Sequence, residues 1–148
     1  GIQRRFTKIF SIKKRDFYDD YAHHPTEIQA LLKGARQTYK KRKIISVFQP
    51  HRYSRVNLLK KEFAASFRLS DEVILCPVYS AGEKMDINFS QNKFSELIAN
   101  RSNVQVINIY NEKDLHKFFK KNLFDDELII CMGAGSISTW LRNMVTNI

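Results

Sequence analysis

The 148 residues, 43% of them hydrophobic and 11 of them Phe, have the size and apolar content of one packed domain rather than a disordered chain. No apolar run approaches the roughly 20 residues that a membrane-spanning helix needs, so no membrane partner is expected. Lys and Arg number 25 against 15 Asp and Glu, a balance of +10 that favours anionic partners such as nucleotides, nucleic acids or phosphorylated sugars.

In chain order, Gly1 to Phe6 begin without Met and read as the continuation of something longer. Residues 5–12 and 16–18 have extended character around the basic turn Lys13-Lys14-Arg15, which predicts a β-hairpin or two short strands. Beyond residues 19–24, Ile28, Leu31, Leu32, Ala35 and Tyr39 recur at helical spacing, with Pro25 and Glu27 suited to a first turn. A helix over 25–39 follows, in which Gly34 costs about 1 kcal/mol relative to Ala. Lys40-Lys41-Arg42-Lys43 reads as a solvated helix end. Residues 44–48 form an apolar strand, and Leu59, Phe63 and Phe67 at period four predict a helix. The order returns with a strand at 73–76, a loop at 77–89 and a helix carrying Phe94, Leu97 and Ile98. A strand at 104–109, a helix with Leu115, Phe118 and Phe119, and a strand at 128–132 come next, before a last amphipathic helix with Ile137, Trp140, Leu141, Met144 and Val145. This alternation predicts one Rossmann-like α/β domain over 1–148, with a mostly parallel sheet, helices on both faces and a short N-terminal hairpin. Cys76 and Cys131 lie in apolar strand-like runs, which fits a reduced, cytoplasmic setting.

Three of the four histidines fall in two strand-to-helix loops, where open α/β sheets bind ligands. The first is Asp19-Asp20-Tyr21-Ala22-His23-His24-Pro25-Thr26-Glu27. Asp19 could merely cap helix amides, but with Tyr21, His23 and His24 directly after it the Asp19-Asp20 pair reads as part of a ligand site. In that site Asp20 can accept hydrogen bonds from ribose hydroxyls, and either histidine can bind a carboxylate or handle a proton. The second is Phe48-Gln49-Pro50-His51-Arg52-Tyr53-Ser54-Arg55. Arg52 and Arg55 can each grip a carboxylate or phosphate with paired hydrogen bonds, and His51 adds a donor. A metal site is the weaker reading, because adjacent His23 and His24 project differently and no His-x-x-x-His or Cys-x-x-Cys spacing occurs. In Tyr79-Ser80-Ala81-Gly82-Glu83, Glu83 can order basic groups, contact an amine or simply close a turn. Gly133-Ala134-Gly135 permits close approach of backbone to a phosphate but lacks the full dinucleotide fingerprint, and no P-loop occurs. The charge balance keeps a free-standing basic nucleotide- or nucleic-acid-binding module as the alternative, although no RNP, zinc-finger or basic-helix pattern accompanies it.

Taken in order, the segments at 19–27, 48–55 and 79–83 and Met132-Gly133-Ala134-Gly135 closely resemble the C-terminal domain of the Mur ligases. The resemblance covers nearly the whole chain, and Gly1 to Phe6 look like that family's junction between central and C-terminal domains. It implies a fragment of a three-domain cytoplasmic enzyme of peptidoglycan synthesis, in which ATP and Mg²⁺ drive amide formation between UDP-N-acetylmuramate and L-alanine through an acyl phosphate. The UDP-binding N-terminal and ATPase central domains would be the partners of this one, with ATP and Mg²⁺ held mainly by the central domain and no nucleic acid involved. Carried over by position, Arg5 and Asp20 would contact the nucleotide. Tyr21, His23, His51, Arg52 and Arg55 would face the amino acid and the reacting carboxylate, with His23, His51, Arg52 and Arg55 as the catalytic candidates. Lys84-Met85-Asp86-Ile87-Asn88-Phe89 departs from the family by lacking its usual Pro and Gly.

Overall fold

The computed structural model describes residues 5–122 and 126–147. Among them, strands β1 (Thr7–Ile12), β2 (Arg15–Asp20), β3 (Lys43–Phe48), β4 (Glu72–Leu75), β5 (Gln105–Asn108) and β6 (Glu127–Met132) form a sheet in the order β1-β2-β6-β3-β4-β5. The five strands from β2 to β5 in that order run parallel, and β1 pairs antiparallel with β2 at the edge. The helices are α1 (Pro25–Thr38), α2 (Tyr53–Leu58), α3 (Lys60–Ala64), α4 (Gln91–Ser102), α5 (Glu112–Lys121) and α6 (Ile137–Met144). This is the mostly parallel, Rossmann-like arrangement that the alternation of strand and helix predicts.

Successive strand residues point to opposite faces, and parallel strands buried on both faces divide their apolar side chains between two layers. Ile44, Phe48, Val73, Leu75, Leu128, Ile130 and Met132 pack with α1, α3 and α4. Ile45, Val47, Ile74, Ile129 and Cys131 pack with α5 and α6. The same period in β2 sends Tyr18 and Asp20 to the α1 side and Arg15, Phe17 and Asp19 to the α5 and α6 side. The chain proceeds outward from β3 to β5 and then returns to insert β6 between β2 and β3. That reversal opens a crevice at the carboxyl ends of β2, β6 and β3.

Several local expectations are corrected. The hairpin turn is Lys13-Lys14 alone, both with positive φ (54° and 63°), as a tight two-residue turn between twisted strands requires. Arg15 is not a turn residue. It starts β2, is buried, and donates to the carbonyls of Phe119 (3.0 Å) and Asn122 (2.5 Å) at the end of α5 while pairing with Glu127 (3.8 Å). A cation there answers the unsatisfied carbonyls and negative pole of the helix. The basic run is not solvated throughout: Lys40, Lys41 and Lys43 are exposed, whereas Arg42 pairs with Asp16 (2.7 Å) and donates to the Lys14 carbonyl (2.7 Å). The period-four helix breaks at Leu59 into α2 and α3, and Phe67 is buried in the turns that follow. Apolar spacing reports which side chains are covered, and a two-piece helix covers the same ones. Register shifts between Lys8 and Phe10 put a bulge in β1. Residues 1–4 of the expected junction lie outside the described residues.

Gly34 is exposed within α1, and a Cβ built there meets nothing within 4 Å. Gly34→Ala should therefore stabilise the fold by about 0.5–1 kcal/mol, read as a higher urea midpoint at unchanged m-value.

Candidate functional site

The loop after β2 begins with a buried carboxylate. Asp20 Oδ2 accepts from the Phe6 amide (2.7 Å) and Oδ1 from the Ala22 amide (2.8 Å), so one side chain ties the segment at Arg5 and Phe6 to the ligand loop. Burial pushes its pKa above the usual carboxylate range, against the pull of those amides and of the Arg5 charge. Asp19 does not cap α1, because the strand alternation turns it to the other face. There it accepts from the Ser138 hydroxyl (2.7 Å) beside Arg142 (3.6 Å) on α6. Glu27 in the first turn of α1 accepts from the amides of His23 (3.1 Å) and His24 (3.0 Å), folding the two histidines back over the helix start. Burial opposes ionisation of Glu27, but these amides and the histidines outweigh it and hold its pKa below the usual range.

The loop after β3 is zipped to the loop after β4. The Tyr79 amide donates to the Pro50 carbonyl and the Arg52 amide to the Tyr79 carbonyl, both at 2.8 Å, forming a parallel bridge between His51 and Tyr79. Arg52 carries this turn at φ 71°, a strained value for a non-glycine residue. Glu83 accepts from the Ser54 hydroxyl (2.5 Å) and amide (3.3 Å) at the start of α2, so it serves as a borrowed cap. Arg55 turns back toward the loop, its Nη1 lying 2.9 Å from His51 Nδ1 and 3.0 Å from the His51 carbonyl. Burial and then the Arg55 charge push the His51 pKa below its ordinary value, and burial with His23 and Arg55 does the same to His24.

The third wall is the turn after β6. A Cβ on Gly133, at φ 154°, would lie 2.9 Å from the Gln49 carbonyl oxygen and 3.0 Å from Ile137 Cγ2. One on Gly135 would fall under 3.0 Å from three ring atoms of Tyr79. Only glycine fits either place without movement. Gln49, itself buried, clasps the turn by accepting from the Ile137 amide (3.0 Å) and donating to the Ser136 hydroxyl (2.9 Å).

Between these walls the rings converge: Tyr21 on His23 (5.0 Å between centroids), His23 on His24 (4.9 Å) and on His51 (5.7 Å), and His51 stacked on Tyr79 (5.6 Å). Two motifs almost thirty residues apart thus meet at one edge of the sheet. A family model described as Mur ligase, glutamate ligase domain matches residues 4–135. The chain belongs to the Mur ligase family. Over 144 residues this Mur ligase domain is 49% identical to a UDP-N-acetylmuramate-L-alanine ligase of Pelagibacter ubique, covering 97% of the chain and 31% of that protein. It is 42% identical to the protein of the same name from Fusobacterium nucleatum, covering 94% of the chain and 31% of the relative. The crystal structure of UDP-N-acetylmuramate-alanine ligase MurC from Thermotoga maritima superimposes with a TM-score of 0.76 at 27% identity, over 97% of the chain and 29% of that structure. The chain thus spans under a third of the length of these relatives.

Of the residues expected at the site, Tyr21, His23, His51 and Arg55 are brought together in the Mur ligase domain. Arg52 is exposed on the same loop, its charge felt by His51 and Glu83. Asp20 is held by the Phe6 and Ala22 amides and feels the charge of Arg5. Among the described residues, no group of three or more His, Cys, Asp or Glu is placed to hold a metal ion. No helix among them is long and apolar enough to cross a membrane. Sequence reasoning gave Gln49 and Tyr79 no role of their own. Their signal was present: a polar residue ending an apolar strand, and an aromatic opening the Tyr79 to Glu83 turn.

His24 and His51 both titrate below their ordinary value near 6.5. The unfolded chain therefore binds more protons than the folded one as pH falls through that region, and stability present above it is lost toward acid. Denaturant unfolding should give a falling free energy from pH 7 to pH 5, with a shallower slope in His51→Gln.

Proposed function

We propose that this Mur ligase domain is the C-terminal part of a three-domain cytoplasmic enzyme of peptidoglycan synthesis that uses ATP to join L-alanine to UDP-N-acetylmuramate. The observation that carries the reading is the convergence of Tyr21, His23, His51 and Arg55 in a chain 49% identical to a relative bearing that name. The muramyl carboxylate is first phosphorylated to an acyl phosphate. The alanine amine then forms the C–N bond, and the C–O bond to phosphate breaks with its electron pair leaving on the phosphate. The N-terminal domain of the whole protein would hold the UDP sugar, and the central domain would hold most of ATP and the Mg²⁺, which offsets phosphate charge when bound.

This chain supplies the other wall. Arg5 and Asp20 belong to the nucleotide side. Both Asp20 oxygens already hold backbone amides, yet each carboxylate oxygen can accept a second hydrogen bond, which leaves room for ribose hydroxyls. Arg52, exposed at the lip of the loop, is suited to grip the alanine carboxylate. The surplus of positive charge draws polyanionic ATP and UDP sugar toward the cleft. Orientation supplies much of the acceleration, because an amine held against an acyl phosphate has already lost its translational freedom.

In a full-length ligase carrying this domain, Arg52→Ala should raise the KM for alanine roughly 10- to 100-fold, the effect of losing hydrogen bonds to a charged group. An unchanged alanine KM would remove Arg52 from the substrate site. The 148-residue chain alone, mixed with ATP, UDP-N-acetylmuramate and L-alanine, should release no phosphate above background; measurable turnover would refute the need for the other two domains.

A further inference from the structure

We propose that His23 and His51 divide the proton chemistry of the alanine amine, His23 accepting a proton at Nε2 while His51, held by Arg55, acts solely as a hydrogen-bond donor from Nε2. The inference rests on the ligase reading above and assigns roles within the same site. His23 Nδ1 lies 2.9 Å from the Tyr21 carbonyl oxygen, which can only accept, so Nδ1 carries the hydrogen. Glu27 Oε1, 3.6 Å from the same nitrogen, favours that placement. In the neutral ring the lone pair is then on Nε2. At His51 the logic inverts: Arg55 Nη1, 2.9 Å from Nδ1, can only donate, so Nδ1 accepts and Nε2 carries the hydrogen. Two rings with centroids 5.7 Å apart are thus fixed in opposite tautomers.

The charged surroundings agree with the division. His51 faces Arg55 and Arg52 on its own side, His23 across the gap, and Tyr79 and the more distant Glu83 from the neighbouring loop. Burial and those cations oppose its protonation. His23 faces Tyr21, His24 and His51, with Glu27 on α1 beside its protonated nitrogen. In the reaction, His23 Nε2 takes one proton from the alanine ammonium and becomes imidazolium, its Nδ1–H still on the Tyr21 carbonyl. The freed lone pair forms the C–N bond, and the departing phosphate carries away the second amine proton. Arg55 is a positioning residue that acts through His51.

Nitrogen-15 NMR of the imidazoles in this 148-residue chain tests the geometry without reference to activity. The expected result at neutral pH is Nδ1–H for His23 and Nε2–H for His51, with Arg55→Ala converting His51 to a tautomer mixture. In the full-length ligase, His23→Gln should lower kcat about 100-fold with little change in alanine KM, and abolish the acid-side fall in kcat/KM. His51→Gln, whose amide still donates near the Nε2 position, should recover at least tenfold of what His51→Ala loses. An Nδ1–H tautomer at His51, or a His23→Gln enzyme that keeps both its turnover and its acid limb, overturns the division of roles even in an active ligase. The expected tautomers in a full-length protein that forms no alanine adduct would instead overturn the ligase reading, and the catalytic half of this inference with it.

Discussion

The close approach of Gly133 to Gln49 is the contact on which the site depends. A chain that inserts its last strand between β2 and β3 must turn away from the sheet within angstroms of the loop leaving β3, and at Gly133 there is no room for a Cβ. From that contact the arrangement propagates side chain by side chain. Gln49, brought against the turn, orients the first residues of α6. Gly135, brought under Tyr79, leaves space for a ring that in turn stacks on His51. The imidazole is thereby confined between an aromatic face and the Arg55 guanidinium, with His23 across the gap. Disturbing the backbone approach would loosen the histidine pair without touching either ring.

Strand and helix order, the buried faces and the two ligand loops were legible because they rest on local periodicity and on motifs confined to nine or fewer residues. What was not legible depended on partners far away in sequence. Arg15 looked like the third basic residue of a turn; its burial is dictated by carbonyls at Phe119 and Asn122, more than a hundred residues on. Arg42 looked solvated because its partners Asp16 and Lys14 belong to another strand and another turn. The fate of Asp19 and Asp20 illustrates the same limit at closer range. Adjacent and chemically identical, they part company because a strand alternates its faces, one carboxylate serving α6 and the other the ligand loop.

The site concentrates cations yet keeps His24 and His51 from joining them. Arg52 and Arg55 raise the local positive potential that an anionic substrate would meet, and the same potential disfavours a further proton on His51. Attraction of ligand and availability of neutral imidazole therefore come from one set of charges. The single carboxylate facing this group from α1, Glu27, is occupied with the amides of His23 and His24, so it steadies the loop more than it neutralises the arginines.

The borders of the sheet carry a consequence of their own. A parallel interior leaves unpaired backbone groups at both outer strands, and such rows are templates for pairing with another molecule. Here one border is β1, whose register slips at a bulge beside Lys8, and the other is β5, four residues long. The bulge twists the first border out of flat alignment and the second offers too short a ladder to recruit a foreign strand. A sheet built to present loops at its carboxyl edge is thus guarded against aggregation along its lateral ones.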